Sequence, residues 1–165
     1  ILYSNMHIKL LKKYYFIDKL KKSNIDIQDK NTAIIYRNYK NKNNISEILL
    51  LKNYCKKKSL KFLLSNNIKL SIKLNLDGAY IPSFNKNFEH LSYKFRKDFI
   101  LIGSAHNLKE IRIKEKQKVN EIFISSIFKK NINYLGLNKF KQISNYSSKG
   151  IIALGGISES NIRLI

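Results

Sequence analysis

Short apolar runs recur along the chain, at residues 14–17, 33–36, 62–64, 79–81, 99–102, 122–124 and 151–154. Each run is rich in β-branched or aromatic residues and is too short to form a helix. Such runs are typical of strands that are buried on both faces of a parallel sheet. The pattern therefore predicts seven parallel strands.

Helices are predicted between these strands. Asn44 is followed by Glu47, and Asn107 by Glu110, each pair being an N-cap residue with an acid three positions later. Regular alternation of strand and helix favours either a closed (β/α)8 barrel or an open doubly wound sheet, and periodicity alone does not separate the two. A Lys/Asn-rich turn at 40–44 is predicted to be a loop after the second strand.

One helix shows which of its faces is buried. Ile48, Leu51 and Cys55 fall at i, i+3 and i+7, which predicts an apolar stripe that faces the sheet. The lysines of the same stretch are interpreted as a solvated face: Lys52, Lys56 and Lys57. As the single cysteine, Cys55 excludes a disulfide within the chain, which fits a reducing cytoplasm.

Length, composition and net charge limit the number of domains and the kinds of partner. With 165 residues, the chain fits one domain spanning 1–165, and its first residue, Ile1, and last residue, Ile165, suggest that both ends are cut, the latter within a new helix. No apolar run is long enough to cross a bilayer. The net charge of +21 would suit nucleic acid, but only four of the 32 basic residues are Arg, so a nucleic-acid partner is not expected.

Polar residues follow the predicted strands, where the working residues of parallel α/β proteins lie. The set comprises Arg37, Asn38, Ser65, Asn66, Pro82, Ser83, Ser104, His106, Ser125, Ser126, Gly155 and Gly156. Because two glycines before a helix start let backbone N–H groups approach a phosphate, the diglycine indicates a phosphate site, with a tight turn as the alternative.

His106 is the candidate for proton transfer, since it lies at a strand end two residues after Ser104. His7 and His90 fall in surface-like stretches instead. We find no Ser-His-Asp arrangement, metal-ligand cluster, P-loop or GxGxxG motif, and no paired carboxylates at the strand ends.

Five motifs in order, AIIYRNY, LDGAYIP, IGSAHNLKE, EIFISSIF and IIALGGI, together with YYFIDK near the start, resemble the thiamine phosphate synthase/TenI family. The resemblance implies an α/β (β/α)8 TIM barrel of which strands 1–7 are present and the eighth is missing. It also implies coupling of hydroxymethylpyrimidine diphosphate to thiazole phosphate, with diphosphate released with the help of basic residues and Mg2+.

The resemblance also assigns roles to residues. Together with the strand-end positions, it leads us to expect Ser104 and His106 as catalytic residues, and substrate-binding positions at Tyr36, Arg37, Ser65, Asn66, Lys130, Gly155 and Gly156. Arg37 matches the diphosphate-binding Arg and the diglycine matches the thiazole phosphate site.

Other positions depart from the family's pattern. Ser65-Asn66 stands where the family has Asn-Asp, and Asn85 stands where it has a second metal-binding Asp, so the Mg2+ ligands are expected to be lost. The loop after the sixth strand reads Lys129-Lys130-Asn131-Ile132-Asn133, without the family's usual spacing, and the tautomerase branch's His near Ser126 is missing.

Three hypotheses follow. The first is a thiamine phosphate synthase-like enzyme that binds small phosphorylated pyrimidine and thiazole substrates. The second is a degenerate barrel that binds these compounds without turnover. The third, a Lys-rich nucleic-acid-binding protein, is the least favoured.

Overall fold

A computed structural model describes residues 13–40 and 44–165. Its seven strands are β1 Lys13–Ile17, β2 Thr32–Tyr36, β3 Lys61–Ser65, β4 Gly78–Ile81, β5 Ile100–Ala105, β6 Glu121–Ile124 and β7 Gly150–Ala153. All are parallel, and their order in the sheet is the order of the chain. A doubly wound sheet reverses its strand order, whereas a barrel does not. The barrel architecture is therefore confirmed, with seven strands in the described residues.

The sheet curls far enough for its first and sixth strands to meet across the interior. Tyr14 of β1 donates a hydrogen bond to Glu121 at 2.7 Å, and its ring lies 5.1 Å from that of Phe123. Phe16 also contacts Phe123, at 5.6 Å between ring centroids. The interior is filled by alternate residues of the strands, among them Ala33, Ile35, Leu63, Tyr80, Ile102 and Phe123.

In the described ranges, five α-helices follow strands: α1 Lys22–Asp26, α2 Ile45–Lys57, α3 Ile68–Lys73, α4 Leu108–Lys116 and α5 Gly136–Ser144. The predicted caps are confirmed, because the Asn44 and Asn107 side chains accept from the N–H groups of Glu47 and Glu110. The apolar stripe of α2 is fully buried, as predicted. Lys52 is half-buried rather than solvated, and its Nζ donates to the carbonyl of Leu74 at the end of α3.

Two predicted features differ in the structure. Within the described residues, β4 and β5 are joined by a short 3-10 helix, Glu89–Ser92, and no α-helix, so the strand–helix alternation is interrupted there. The chain after β7 forms a turn and a 3-10 helix, Ile162–Leu164, in place of the predicted helix. The diglycine therefore lacks an α-helix start beside it.

The histidine prediction also needs correction. His90 is buried, with 4% of its surface exposed, and its Nε2 bonds to the backbone carbonyl of Gln117 at the end of α4. His7 and residues 41–43 of the predicted loop lie outside the described residues. No helix in the described part of the chain has the length and apolar character needed to cross a membrane.

Candidate functional site at the barrel mouth

The mouth of the barrel lies at the carboxyl ends of the strands. Four predicted site residues each come two positions after a strand residue that faces the barrel interior. Along an extended chain, side chains two positions apart point to the same face. They are Arg37, Ser65, Ser104 and Ser125. Strand alternation therefore brings these four side chains to the interior side of the mouth.

Arg37 is the exposed cation of this group. Its guanidinium lies over the ring of Phe16 at 4.7 Å, and its backbone N–H donates to the carbonyl of Ile17 at 2.7 Å. No salt bridge engages it within the described residues. The aromatic face orients the guanidinium while leaving its forked donors available for an anion.

Ser104 is bonded to a tyrosine that the sequence analysis missed. Ser104 lies inside β5, which is longer than predicted, and it is 3% exposed. Tyr80 Oη donates to Ser104 Oγ at 2.8 Å, and burial raises the pKa of Tyr80 to about 12. Tyr80 therefore stays a neutral donor at physiological pH and orients the serine hydroxyl. The position of Tyr80 in the predicted fourth strand was the sequence signal that could have placed it in the barrel interior.

His106 is anchored to the next strand. Its Nδ1 lies 2.7 Å from the carbonyl oxygen of Ser125 and 3.2 Å from Ser125 Oγ. A carbonyl oxygen can only accept, so Nδ1–H is the donor of this bond, and Nε2 is the ring nitrogen left for another partner. The imidazole is half-buried and makes no hydrogen bond to Ser104. This geometry suits a proton acceptor directed by its other nitrogen, although the role itself stays a prediction.

Asn66 and Asn85 meet at the mouth. Asn85 Nδ2 donates to Asn66 Oδ1 at 2.7 Å, and Asn85 Oδ1 accepts from the N–H of Asn87 at 2.8 Å. Both amide oxygens are thus engaged within the protein. Mg2+ prefers anionic oxygen ligands, so this pair as it stands does not fit the ion.

Carboxylates do not gather here either. Among the described residues no three His, Cys, Asp or Glu side chains are grouped as a metal site. Asp77 lies one residue before β4 and Asp98 two residues before β5, so they lie at the opposite end of the barrel. Asp77 pairs there with Lys61 at 2.9 Å, and Asp98 pairs with Arg96 at 3.2 Å.

A cleft of about 200 Å³ adjoins the amide pair. Its lining includes Asn66, Asn67, Asn85, Asn87 and Tyr93. Of the substrate-binding residues predicted from sequence, Asn66 alone lines it. Ser65 lies nearby, with its Oγ 3.3 Å from the hydroxyl of Tyr39.

The diglycine is packed tightly against the loop that follows β6. Gly155 and Gly156 have φ of +99° and +78°, and a Cβ on Gly155 would lie 2.4 Å from Ser126 Oγ. The Gly155 carbonyl accepts from the N–H groups of Phe128 and Lys129. The turn geometry alone therefore requires both glycines. The packing also brings the exposed Lys130 to the same loop pair, while phosphate binding stays a prediction.

Tyr36 is not brought to the mouth. It lies one residue from the interior-facing Ile35, so its side chain packs between the sheet and α2, where it is 2% exposed. Its hydroxyl donates to Glu47 Oε2 at 2.8 Å. This placement does not fit the direct substrate contact that was predicted for it.

Residues 18–165 match the model of the thiamine monophosphate synthase family. The chain belongs to that family. It is 27% identical over 139 residues to the thiamine-phosphate synthase of Hydrogenobaculum sp., covering 80% of this chain and 64% of that protein. The corresponding enzyme of Persephonella marina is 26% identical over 137 residues, covering 79% and 66%.

The fold agrees with the family assignment. The structure is similar to thiamine phosphate pyrophosphorylase from Pyrococcus furiosus, with a TM-score of 0.73 and 17% identity over 93% of this chain and 79% of that one. At this identity the likeness shows the fold. The chain spans just under two thirds of the length of the two curated relatives named above.

Proposed function

We propose that this thiamine monophosphate synthase family member couples hydroxymethylpyrimidine diphosphate to thiazole phosphate and releases diphosphate. The observation that carries the proposal is the position of Arg37. A guanidinium that is oriented by an aromatic face, exposed at the barrel mouth and unpaired within the described residues suits a diphosphate. The family assignment supports the same chemistry.

The other residues divide the remaining tasks. We assign Ser104, which Tyr80 orients, and His106, which Ser125 anchors, to the reacting pyrimidine and thiazole rings. Lys130 and the backbone of the Gly155–Gly156 turn would hold phosphate through charge and N–H groups. Negative charge that builds on the leaving diphosphate is offset by Arg37, aided by the lysines of the loop after β6.

The amide pair supports a mechanism that depends less on a metal ion. Asn66 and Asn85 contribute no charge, and their oxygens are already hydrogen-bonded. In the family Mg2+ supplies charge neutralisation of the diphosphate; here we propose that the ion binds weakly and that basic side chains carry more of that task.

A second candidate function is supported by the same pair. A barrel that has lost its metal carboxylates could bind thiamine precursors without joining them. Both candidates predict small-molecule partners and a cytoplasmic location.

The two candidates are separated by measuring binding and turnover on the same preparation. Calorimetry with each precursor reports binding, and fluorescence detection of thiamine phosphate reports coupling. Binding of both with product formation supports the enzyme. Binding without product supports the second candidate, and absence of any binding contradicts both.

A further inference from the structure

A lysine is buried beneath the mouth, and within the described residues no salt bridge engages it. Lys114 of α4 is fully buried, and its alkyl chain lies over Gly103 of β5. A Cβ at Gly103 would lie 2.7 Å from Lys114 Cδ, so the absence of a side chain at this position leaves room for the lysine's alkyl chain. Burying a charge without a counter-ion is costly, so its hydrogen bonds must offset that cost.

The ammonium is satisfied by three oxygens, two of them in one short loop. Lys114 Nζ donates to the carbonyls of Pro82 and Asn85 at 2.8 and 2.7 Å, and to Gln117 Oε1 at 2.9 Å. An ammonium has three protons and no acceptor capacity, so the three oxygens match its donors. Lys114 therefore ties the loop that follows β4 to α4.

Gln117 extends the same connection. Its Nε2 donates to the backbone carbonyls of Asn85 and Asn87 at 3.1 and 2.8 Å. The backbone carbonyl of Gln117 accepts from His90 Nε2 at 2.8 Å. This is the stretch where the alternation lacks an α-helix. Lys114 and Gln117 thus hydrogen-bond to the backbone of a segment that has no α-helix of its own.

We propose that Lys114 is a positioning residue that, with Gln117, holds segment 82–93 in place and thereby holds Asn85 against Asn66 at the barrel mouth. The inference adds a buried positioning group to the proposed site. Its effect on substrate rests on the proposed function, whereas its effect on the segment does not.

The first test is hydrogen exchange at backbone amides in Lys114→Met. Methionine keeps the length and apolar packing of the side chain but removes all three donors. We expect exchange in segment 82–93 to accelerate at least tenfold while β2 and β6 are unchanged. Lys116→Met, which removes an exposed lysine from the same helix, should leave the segment at the wild-type rate.

The second test separates positioning from general damage. With both precursors supplied, Lys114→Met should raise KM for the pyrimidine diphosphate at least fivefold and change kcat less than twofold. If Lys114→Met does not fold, Gln117→Leu takes its place, with faster exchange expected at residues 85–93.

Wild-type exchange rates across segment 82–93 in a folded Lys114→Met or Gln117→Leu variant would overturn the proposal. Faster exchange with an unchanged KM would overturn its link to the substrate site. If the wild-type protein makes no product, the proposed function fails, and exchange still decides whether Lys114 holds the segment.

Discussion

Tyr36 and Arg37 are neighbours in sequence with opposite environments. Tyr36 points into the layer between the sheet and α2, where its hydroxyl is bound by Glu47, while Arg37 faces the mouth beside Phe16. The difference follows from the alternation of side chains along β2. Whether a residue near a strand end can reach the barrel mouth therefore depends on the face of the strand that its side chain occupies.

Tyr36→Phe tests this distinction. Removing the hydroxyl deletes the hydrogen bond to Glu47 and should lower the free energy of unfolding by about 1 kcal/mol. Because the side chain does not reach the mouth, KM and kcat should stay within twofold of wild type. Urea unfolding and steady-state kinetics provide the two readings, and a large rise in KM would restore Tyr36 as a substrate-binding residue.

Lys114 predicts a pH dependence of stability. Burial lowers the pKa of Lys114 to about 8 from an ordinary 10.5, with the charge of Glu110 opposing the shift. Between these values the unfolded chain binds more protons than the folded one, so this group's contribution to the free energy of unfolding rises with pH. The free energy of unfolding of wild type minus that of Lys114→Met should therefore increase from pH 7.5 to pH 10. A difference independent of pH would contradict the shift.

At the scale of elements, local signals were sufficient wherever the element depends on its own residues. Apolar runs located all seven strands, and Asn-x-x-Glu located the starts of α2 and α4. The connection between β4 and β5 was not predictable in this way, because side chains of α4 distant in sequence hold it. The buried state of Lys114 and His90 depends on the same long-range contacts.

Asn107 offers a test at the level of one helix. Its Oδ1 accepts from the N–H of Glu110 at 3.0 Å, and the Glu110 carboxylate accepts from Asn107 Nδ2 and from the N–H of His106. Asn107→Ala should lower the free energy of unfolding by about 1 kcal/mol. Asn138→Ala, at an exposed position of α5, is the control and should change stability far less. Equal effects of the two substitutions in urea unfolding would contradict the capping role.

Across the whole molecule, the sequence predicted the barrel through a resemblance, since strand–helix rhythm alone left a doubly wound sheet open. Contacts between β1 and β6, such as Tyr14 with Glu121, show the curling that rhythm could not. The excess of lysine adds a broad positive field that suits anionic substrates. The charge does not locate the site. The alternation of side chains along the strands and the positions of the strand ends do.

The metal dependence of the molecule is predicted to be unusual. Diphosphate release by the unaltered protein should change less than threefold on adding a chelator, because Asn66 and Asn85 provide no carboxylate. Replacing both by Asp should bring two negative charges together, making activity chelator-sensitive by at least tenfold. Each single variant should show a smaller response.

Strong chelator sensitivity in the unaltered protein would contradict this prediction. Asp77 and Asp98 lie at the far end of the barrel and could not account for it. Asp18, which is exposed just after β1, would then be the acidic residue to test.

The most direct test of the proposed function is the rate of thiamine phosphate formation by wild type, Arg37→Met and Arg112→Met with both precursors supplied. Arg112 is a matched control, since it lies on α4 and pairs with Glu115 away from the mouth. We predict product from wild type and Arg112→Met, and at least a hundredfold lower kcat/KM for Arg37→Met. Equal rates from all three proteins, or no product and no precursor binding by wild type, would contradict the proposed site.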